Sequence, residues 1–201
     1  MGKGLILASA SPRRYELLRQ VGLNFDVIPS KIEEDYIKGE SPRKHVLRLA
    51  GAKAVDVGNQ HSDRWVIAAD TIVYIDHSIL GKPKGREEAK KMLHLLSGKE
   101  HRVLTGFSVL HLERGKRDQE AVGTAVKVKR LTQSEIDWYI QTGEPYDKAG
   151  AYAIQGVGSF MIESIKGSYT NVVGLPICEV IQMLNRLGAI KISSDGIHIS
   201  P

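Results

Sequence analysis

Short apolar runs punctuated by helix-start signals set the organisation of this chain. Leu5-Ile6-Leu7-Ala8 reads as a buried strand, and Ser11 then stands as an N-cap with Pro12 at the first helical position. The helix it opens runs to about Val21 and stops at Gly22. Phe25-Asp26-Val27-Ile28-Pro29 reads as a second short strand. Ser41-Pro42 opens a long helix with Val46, Leu47, Leu49, Ala50, Ala54 and Val55 on its apolar face. Trp65 to Ile75 is strand-like and apolar except at Asp70-Thr71, and a helix from Glu87 to Leu96 ends at Ser97-Gly98. His101 to Glu113 and Gln119 to Leu131 predict a hairpin around the polar turn Arg114-Gly115-Lys116-Arg117-Asp118. Thr132-Gln133-Ser134-Glu135 is a capping box that starts a helix carrying Ile136, Tyr139 and Ile140. The glycine-rich stretch 143–158 has little periodicity, after which Phe160 to Ile165 returns to strand. Pro176 begins a last helix with Ile177, Val180, Ile181, Leu184 and Leu187 inward, stopped by Gly188. The polar segment after Ala189 predicts no element.

Strands alternating with helices around one hairpin predict an α/β fold with a mixed sheet. No linker-like stretch divides the 201 residues, so the reading is one domain with two lobes. The 42% hydrophobic and 25% charged content belongs to an ordinary globular protein. No apolar run reaches the ~18 residues of a membrane span, and Leu5 to Ala8 is too short for the apolar region of a signal peptide. The single cysteine, Cys178, cannot form an internal disulfide, which fits a reducing, cytoplasmic setting. Its apolar helical surroundings predict a buried structural thiol. The net charge of +5 fits either a nucleic-acid surface or a pocket for a polyanionic small molecule. The run Lys127-Val128-Lys129-Arg130 reads as a solvated strand face.

A strand feeding a helix N-terminus gathers free backbone N–H groups and the positive dipole end, so Ser9 to Arg14 forms an anion site, with Arg13 and Arg14 as fork-shaped donors. An ordinary capped helix with two solvated arginines fits the same segment equally well. Asp70 stands in an otherwise apolar strand, where a carboxylate must be paired, bound to metal or lining a cavity. Ile32-Glu33-Glu34-Asp35 reads as a solvated loop that can supply a hard oxygen ligand to Mg²⁺ or Mn²⁺. Lys53 lies among small helical residues, Lys82 in the turn Gly81-Lys82-Pro83, and Lys148 inside the glycine-rich stretch, where ligand-contacting loops are found. Neither a P-loop nor a Gly-x-Gly-x-x-Gly opening a βαβ unit is present. His61, His77 and His101 read as surface groups. Many phosphate donors, a few carboxylates and no nucleophile suit metal-assisted hydrolysis of a phosphoanhydride by water.

Through Ser9-Ala10-Ser11-Pro12-Arg13-Arg14, Glu33-Glu34, the Lys53 helix, Ala69-Asp70-Thr71, Gly81-Lys82-Pro83, Leu96-Ser97-Gly98, Asp147 to Tyr152, Ile154-Gln155-Gly156 and Asn171 to Pro176, the chain resembles the Maf family of nucleoside triphosphate pyrophosphatases. The match spans residues 1–188 as one domain and leaves 189–201 as a tail outside it. The resemblance implies a Maf/ITPase-like mixed β-sheet flanked by helices, with two lobes around a central cleft, in a cytoplasmic homodimer. It also implies hydrolysis of a nucleoside triphosphate to monophosphate and pyrophosphate with a divalent cation, Mg²⁺ or Mn²⁺. By the same carry-over Asp70 is the general base, Glu33 joins it in holding metal or water, and Ser9, Arg14, Lys53, Lys82 and Lys148 bind substrate. Arg13, Thr71 and Gln155 match the subgroup acting on dTTP and UTP. Relatives acting on 7-methyl-GTP often carry Trp in place of Arg13, Gln after the aspartate and Glu in place of Gln155. Ala68 departs from the Gly that many members carry there. The alternative is a non-catalytic nucleotide or nucleic-acid binder linked to cell division. Its low aromatic content of 6% and lack of a stacking motif speak against nucleic acid.

Overall fold

The computed structural model describes residues 4–76 and 78–200, so the surface reading of His77 lies outside the described residues. Strand β1 (Leu5–Leu7), helix α1 (Pro12–Gln20), strand β2 (Phe25–Val27), helix α2 (Pro42–Gly58) and strand β3 (Trp65–Ile75) come first. Then follow β4 (Ser78–Leu80), α3 (Arg86–Leu96), β5 (Glu100–His111), β6 (Lys116–Val128) and α4 (Gln133–Gln141). After three short 3₁₀ turns come β7 (Ile162–Lys166), α5 (Tyr169–Val173), α6 (Ile177–Leu187), β8 (Ile190–Ser193) and β9 (Gly196–Ile199). The main sheet has the order β2-β1-β3-β5-β6-β7, with β4 on β3. β1 pairs parallel to both β2 and β3, with Leu5 opposite Phe25 and Trp65, while β4 on β3 and β7 on β6 are antiparallel. The sheet is therefore mixed, as the alternation of strands and helices predicts.

The chain divides into two compact units, each assembled from separated stretches. One comprises Met1–Asp70, Thr105–Val122 and Gly174–Pro201; the other comprises Thr71–Leu104 and Gly123–Val173. Three of the four divisions fall inside the long strands, at Asp70 in β3, Thr105 in β5 and Val122 in β6, and the fourth falls at Val173, where α5 ends, so no linker is visible in the sequence.

In the first unit Ile6, Ala8, Ala54, Val57, Val66, Ala68 and Leu110 form one apolar cluster. The Ser41 side chain caps α2 by accepting from the Lys44 N–H at 3.3 Å. The backbone of α2 lies directly on β5 at Gly106, where a Cβ would meet the Val46 carbonyl carbon and oxygen at 2.5 Å. Only glycine admits that approach, which fixes the height of α2 over the sheet. In the second unit Leu93 and Leu96 of α3, Ile136, Tyr139 and Ile140 of α4, and Val126 of β6 share a core. The capping box at Thr132 and Glu135 is formed in both directions.

Four expectations need correction. The hairpin turn is at residues 112–115, where Gly115 takes φ +59° and its N–H bonds the Leu112 carbonyl at 2.9 Å, so Lys116 to Asp118 belong to β6. Cys178 is exposed, not buried. The inward face of α6 is Ile177, Val180, Met183 and Leu184, and Cys178 falls on the opposite side with Gln182, whose amide reaches its Sγ at 3.6 Å. The segment after Ala189 forms a hairpin, β8 on β9, around Ser194-Asp195 with Ile190 opposite Ile199. His101 is 2% exposed rather than a surface group, because β5 alternates and places it on the same inward face as Val103. The basic run also differs in detail: β6 ends at Val128, Lys127 Nζ donates to the Gly98 carbonyl at 3.0 Å, and Lys129 pairs with Glu135 at 2.5 Å.

His101 Nε2 lies 2.6 Å from the Tyr152 hydroxyl, and its Nδ1 is buried without a hydrogen-bond partner. Burial first of all lowers its pKa to about 4, with the Glu100 charge opposing. The unfolded chain, with an ordinary histidine near 6.5, binds the proton first as pH falls, so this contribution to stability is complete above about 6.5 and is lost between there and about 4. The loss amounts to roughly 3 kcal/mol by linkage. Urea unfolding at a series of pH values checks it: His101→Gln should flatten the fall below pH 6.5, and an unaltered slope in that variant would refute the assignment.

Candidate active site

Where β1 ends, the chain enters α1 through Ser9-Ala10-Ser11. Ser11 is the N-cap by backbone, extended at φ −74° and ψ 116°, yet its hydroxyl makes no capping bond. Ser9 supplies the hydroxyl instead: its Oγ accepts from the Ser11 N–H at 3.2 Å and from Arg14 Nη1 at 3.1 Å. Arg14 also donates from Nη1 to the Ala69 carbonyl at 2.8 Å and from Nε to the Gly174 carbonyl at 2.8 Å. This arginine therefore ties the start of α1 to the middle of β3 and to residue 174. Burial lowers its guanidinium from the ordinary value, and the carboxylates of Asp70 and Glu34 work against that shift. Arg13, on the same turn, is half-buried.

One residue beyond Ala69, Asp70 is 6% exposed. Its Oδ1 accepts from Lys53 Nζ at 2.7 Å, and the same ammonium meets Glu34 Oε1 at 2.6 Å. Lys53 comes from the inward face of α2 and is 7% exposed, because Gly51 and Ala54 beside it are small and the helix is pressed on the sheet. The buried carboxylate anticipated at Asp70 is thus paired, and its partner is one of the three lysines singled out from the sequence. The acidic segment reaches the same point through Glu34, and both Glu33 and Glu34 are exposed. The segment is not a loose loop. At one end Asp56 of α2 accepts from Ser30 Oγ at 2.8 Å and the Lys31 N–H at 2.9 Å, and these bonds hold its carboxyl below the usual range. At the other, Arg48 of α2 donates to the Asp35 carbonyl at 2.9 Å and grips both oxygens of Glu40 at 2.7 and 2.8 Å. One helix therefore presents Lys53 and fastens the acidic segment against it.

The second unit holds the other residues. Thr71 follows Asp70 on β3 and is half-buried. Lys82 is exposed in the turn after β4, and the Gly81 carbonyl of that turn accepts from the Gly150 N–H at 3.0 Å. Lys148 Nζ is bonded to the Asp147 carboxylate and lies 3.4 Å from the Glu144 carbonyl. Two residues on, Gly150 takes φ +71° against the Val73 side chain, and the buried Ala151 takes φ +59°. A left-handed alanine costs of order 1 kcal/mol or more, which marks residues 148–155 as a segment whose shape is imposed by its surroundings. Gln155 is exposed on that segment.

Among the described residues no group of three or more His, Cys, Asp or Glu side chains stands ready for a metal. The two carboxylates on Lys53 nonetheless fit a hard divalent cation of the Mg²⁺ type, which takes one or two carboxylates and completes its shell with water and substrate phosphates. Chemically the first unit offers a buried carboxylate paired with an ammonium, beside an arginine and a helix N-terminus. Such a set can take a proton from water and accommodate phosphate charge. No helix among the described residues is long and apolar enough to cross a membrane.

A family model described as Maf-like protein matches residues 4–187. The chain is 52% identical over 191 residues to the dTTP/UTP pyrophosphatase of Syntrophotalea carbinolica, covering 94% of this chain and 87% of that one. It is 52% identical over 187 residues to the protein of the same name from Geotalea uraniireducens, covering 93% and 96%. It is also 45% identical over 188 residues to that of Clostridioides difficile, covering 94% and 97%. Among solved structures, a HAM1 protein from Coxiella burnetii aligns at 16% identity over 90% of this chain and 98% of that one, with a TM-score of 0.49. That likeness is too slight to carry an argument.

Proposed function

The chain belongs to the Maf family, the match covering residues 4–187, and on that premise we propose that it hydrolyses dTTP and UTP to the nucleoside monophosphate and pyrophosphate. The observation that carries this reading is the identity of about half its residues, along more than nine-tenths of its length, with relatives named for that activity. Asp70 removes a proton from water, the water oxygen bonds the α-phosphorus, and the bond from that phosphorus to the bridging oxygen of the β-phosphate breaks, releasing pyrophosphate. The ion pair with Lys53 supports this role, since the ammonium at 2.7 Å holds the buried carboxylate in one place. Ser9, Arg14, Lys53, Lys82 and Lys148 take the triphosphate charge, and the arginine-and-amide chemistry at the start of α1 suits phosphate oxygens.

Mg²⁺ or Mn²⁺, held by Asp70 with Glu33 or its neighbour Glu34, would neutralise charge on the phosphates when bound. Glu34 is preferred as the second carboxylate because it already shares Lys53 with Asp70. Arg13, Thr71 and Gln155 select the base; the amide of Gln155 offers donor and acceptor together, as a pyrimidine edge requires. The working form is a cytoplasmic homodimer. Nucleic-acid binding is disfavoured by the basic run, whose Lys127 and Lys129 already have partners within the fold.

Pyrophosphate release measured across all common nucleoside triphosphates, including 5-methylated pyrimidines, with Mg²⁺ and with Mn²⁺, tests the proposal. Release is expected from dTTP and UTP; none from any nucleotide would sink the activity, and release from purines alone would sink the selectivity.

A further inference from the structure

Gln155 stands on a segment whose two ends are closed on each other. A Cβ at Gly158 would meet the Ala153 carbonyl oxygen at 2.5 Å, the Tyr139 hydroxyl at 2.7 Å and the Ala153 nitrogen at 3.0 Å, so the backbones of residues 153 and 158 are in direct apposition. One side chain organises this closure. Glu144 Oε1 accepts from the Gly158 N–H at 2.8 Å and from the Tyr139 hydroxyl at 2.9 Å, and Oε2 accepts from the Val157 N–H at 3.0 Å. The Tyr139 hydroxyl accepts in turn from the Ala153 N–H at 3.2 Å. A continuous circuit therefore runs from residue 153 through the phenol and the carboxylate to residues 157 and 158. Gln155 is exposed between its ends.

The circuit has a rigid base. Tyr139 is fully buried on α4, and burial, then the bond to Glu144, raises its phenol well above the ordinary value, so it stays a neutral donor. Gly156 takes φ +71°, where an L side chain is strained, and its Cα lies so close to the carboxylate that a Cβ there would be 2.5 Å from Glu144 Oε2 unless that side chain moved. The carboxylate is thus packed against the turn as well as bonded to it. Nothing in the hydrolysis uses Glu144, yet it accepts three hydrogen bonds, two of them from the backbone immediately after the base-selecting residue.

We propose that Glu144 is a positioning residue for base selection: through Tyr139 and the 157–158 amides it holds Gln155 in the geometry that distinguishes dTTP and UTP from other nucleotides. The proposal rests on the reading of Gln155 as a selector. A prearranged amide discriminates because the wrong base leaves its polar groups unpaired, whereas a mobile one adjusts to either.

The test compares kcat/KM for UTP with that for GTP in Glu144→Ala, Glu144→Gln, Gln155→Ala and the double variant Glu144→Ala/Gln155→Ala. The UTP preference should fall about tenfold in Glu144→Ala, the scale of one well-made hydrogen bond, with the loss in KM rather than kcat. Glu144→Gln keeps one oxygen for the Gly158 N–H and loses the acceptor facing Val157, so its preference should be intermediate. It also serves if the alanine variant does not fold. The double variant should be no less selective than Gln155→Ala alone, because Glu144 acts through that residue. Additive losses, or an unchanged preference in Glu144→Ala or, where that does not fold, in Glu144→Gln, beside a lost one in Gln155→Ala, would overturn the proposal and leave the selector reading intact. An unchanged preference in Gln155→Ala would overturn both.

Discussion

Replacing Asp70 with asparagine is expected to lower kcat for pyrophosphate release from UTP by about 10²–10⁴-fold, the range for loss of a general base. The substitution keeps the shape of the side chain and leaves an oxygen for Lys53 Nζ, now at 2.7 Å from Asp70 Oδ1, so the site's packing is preserved. What it removes is the charge and the proton-accepting capacity. Nucleotide binding should survive and is measurable by calorimetry on the inactive variant. Near-normal turnover in Asp70→Asn would show that another group activates the water.

The second large effect is on stability and comes from the other half of the same pair. Lys53→Met keeps the length and much of the volume of the side chain and deletes the ammonium. Asp70 is then a buried carboxylate without its cation, and breaking a buried pair from one side costs about 3–5 kcal/mol. Glu34 loses the same partner with less consequence, since its side chain is 54% exposed and water can replace the lysine. The double variant Lys53→Met/Asp70→Asn should recover most of the loss, because the buried carboxylate that lost its ammonium is gone and Glu34 is exposed to water. Urea unfolding of both singles and the double at pH 7 checks this. A double variant as unstable as Lys53→Met would mean that the lysine matters for its packing rather than for its charge.

The elements that carry these residues were legible in the sequence where a local signal agrees with the tertiary environment. Pro12 and Pro42 mark helix starts, Thr132 and Glu135 close a capping box, and the apolar run from Trp65 to Ile75 is a strand over those residues. The isolation of Asp70 in that strand was also readable, because a lone carboxylate in an apolar run must have a partner. Which residue is the partner was not. Lys53 and Glu34 are 17 and 36 positions away, and the pairing depends on the distance of α2 from the sheet, set at Gly106 by backbone contact rather than by any periodicity. Between Glu33 and Glu34 sequence offers no criterion; the tethers from Asp56 and Arg48 decide it.

Two corrections had signals that could have been used. Alternation through Glu100-His101-Arg102-Val103 puts His101 inside, and Asp195-Gly196 between alternating isoleucines is a hairpin signature. Cys178 misled because its neighbours are apolar, although the spacing of Ile177, Val180 and Leu184 leaves it outside their stripe. Glu144 carried no signal at all: its partners are backbone amides and a phenol, which no residue type advertises.

The bond from Arg14 to the Gly174 carbonyl also bears on how the protein comes into being. It joins positions 160 residues apart, in a unit whose third stretch begins at residue 174. At ~5–20 residues per second on the ribosome, roughly 8–30 s pass between the synthesis of Arg14 and that of its acceptor. During that interval β1, α1 and α2 exist without the segment that completes their unit, and closing so long a loop is slow in itself. The guanidinium beside Ser9 gains the Gly174 carbonyl only when nearly the whole chain has been made. A nascent or truncated chain that ends before residue 174 therefore lacks the Gly174 acceptor, although the Ser9 and Ala69 acceptors of the same guanidinium are already present.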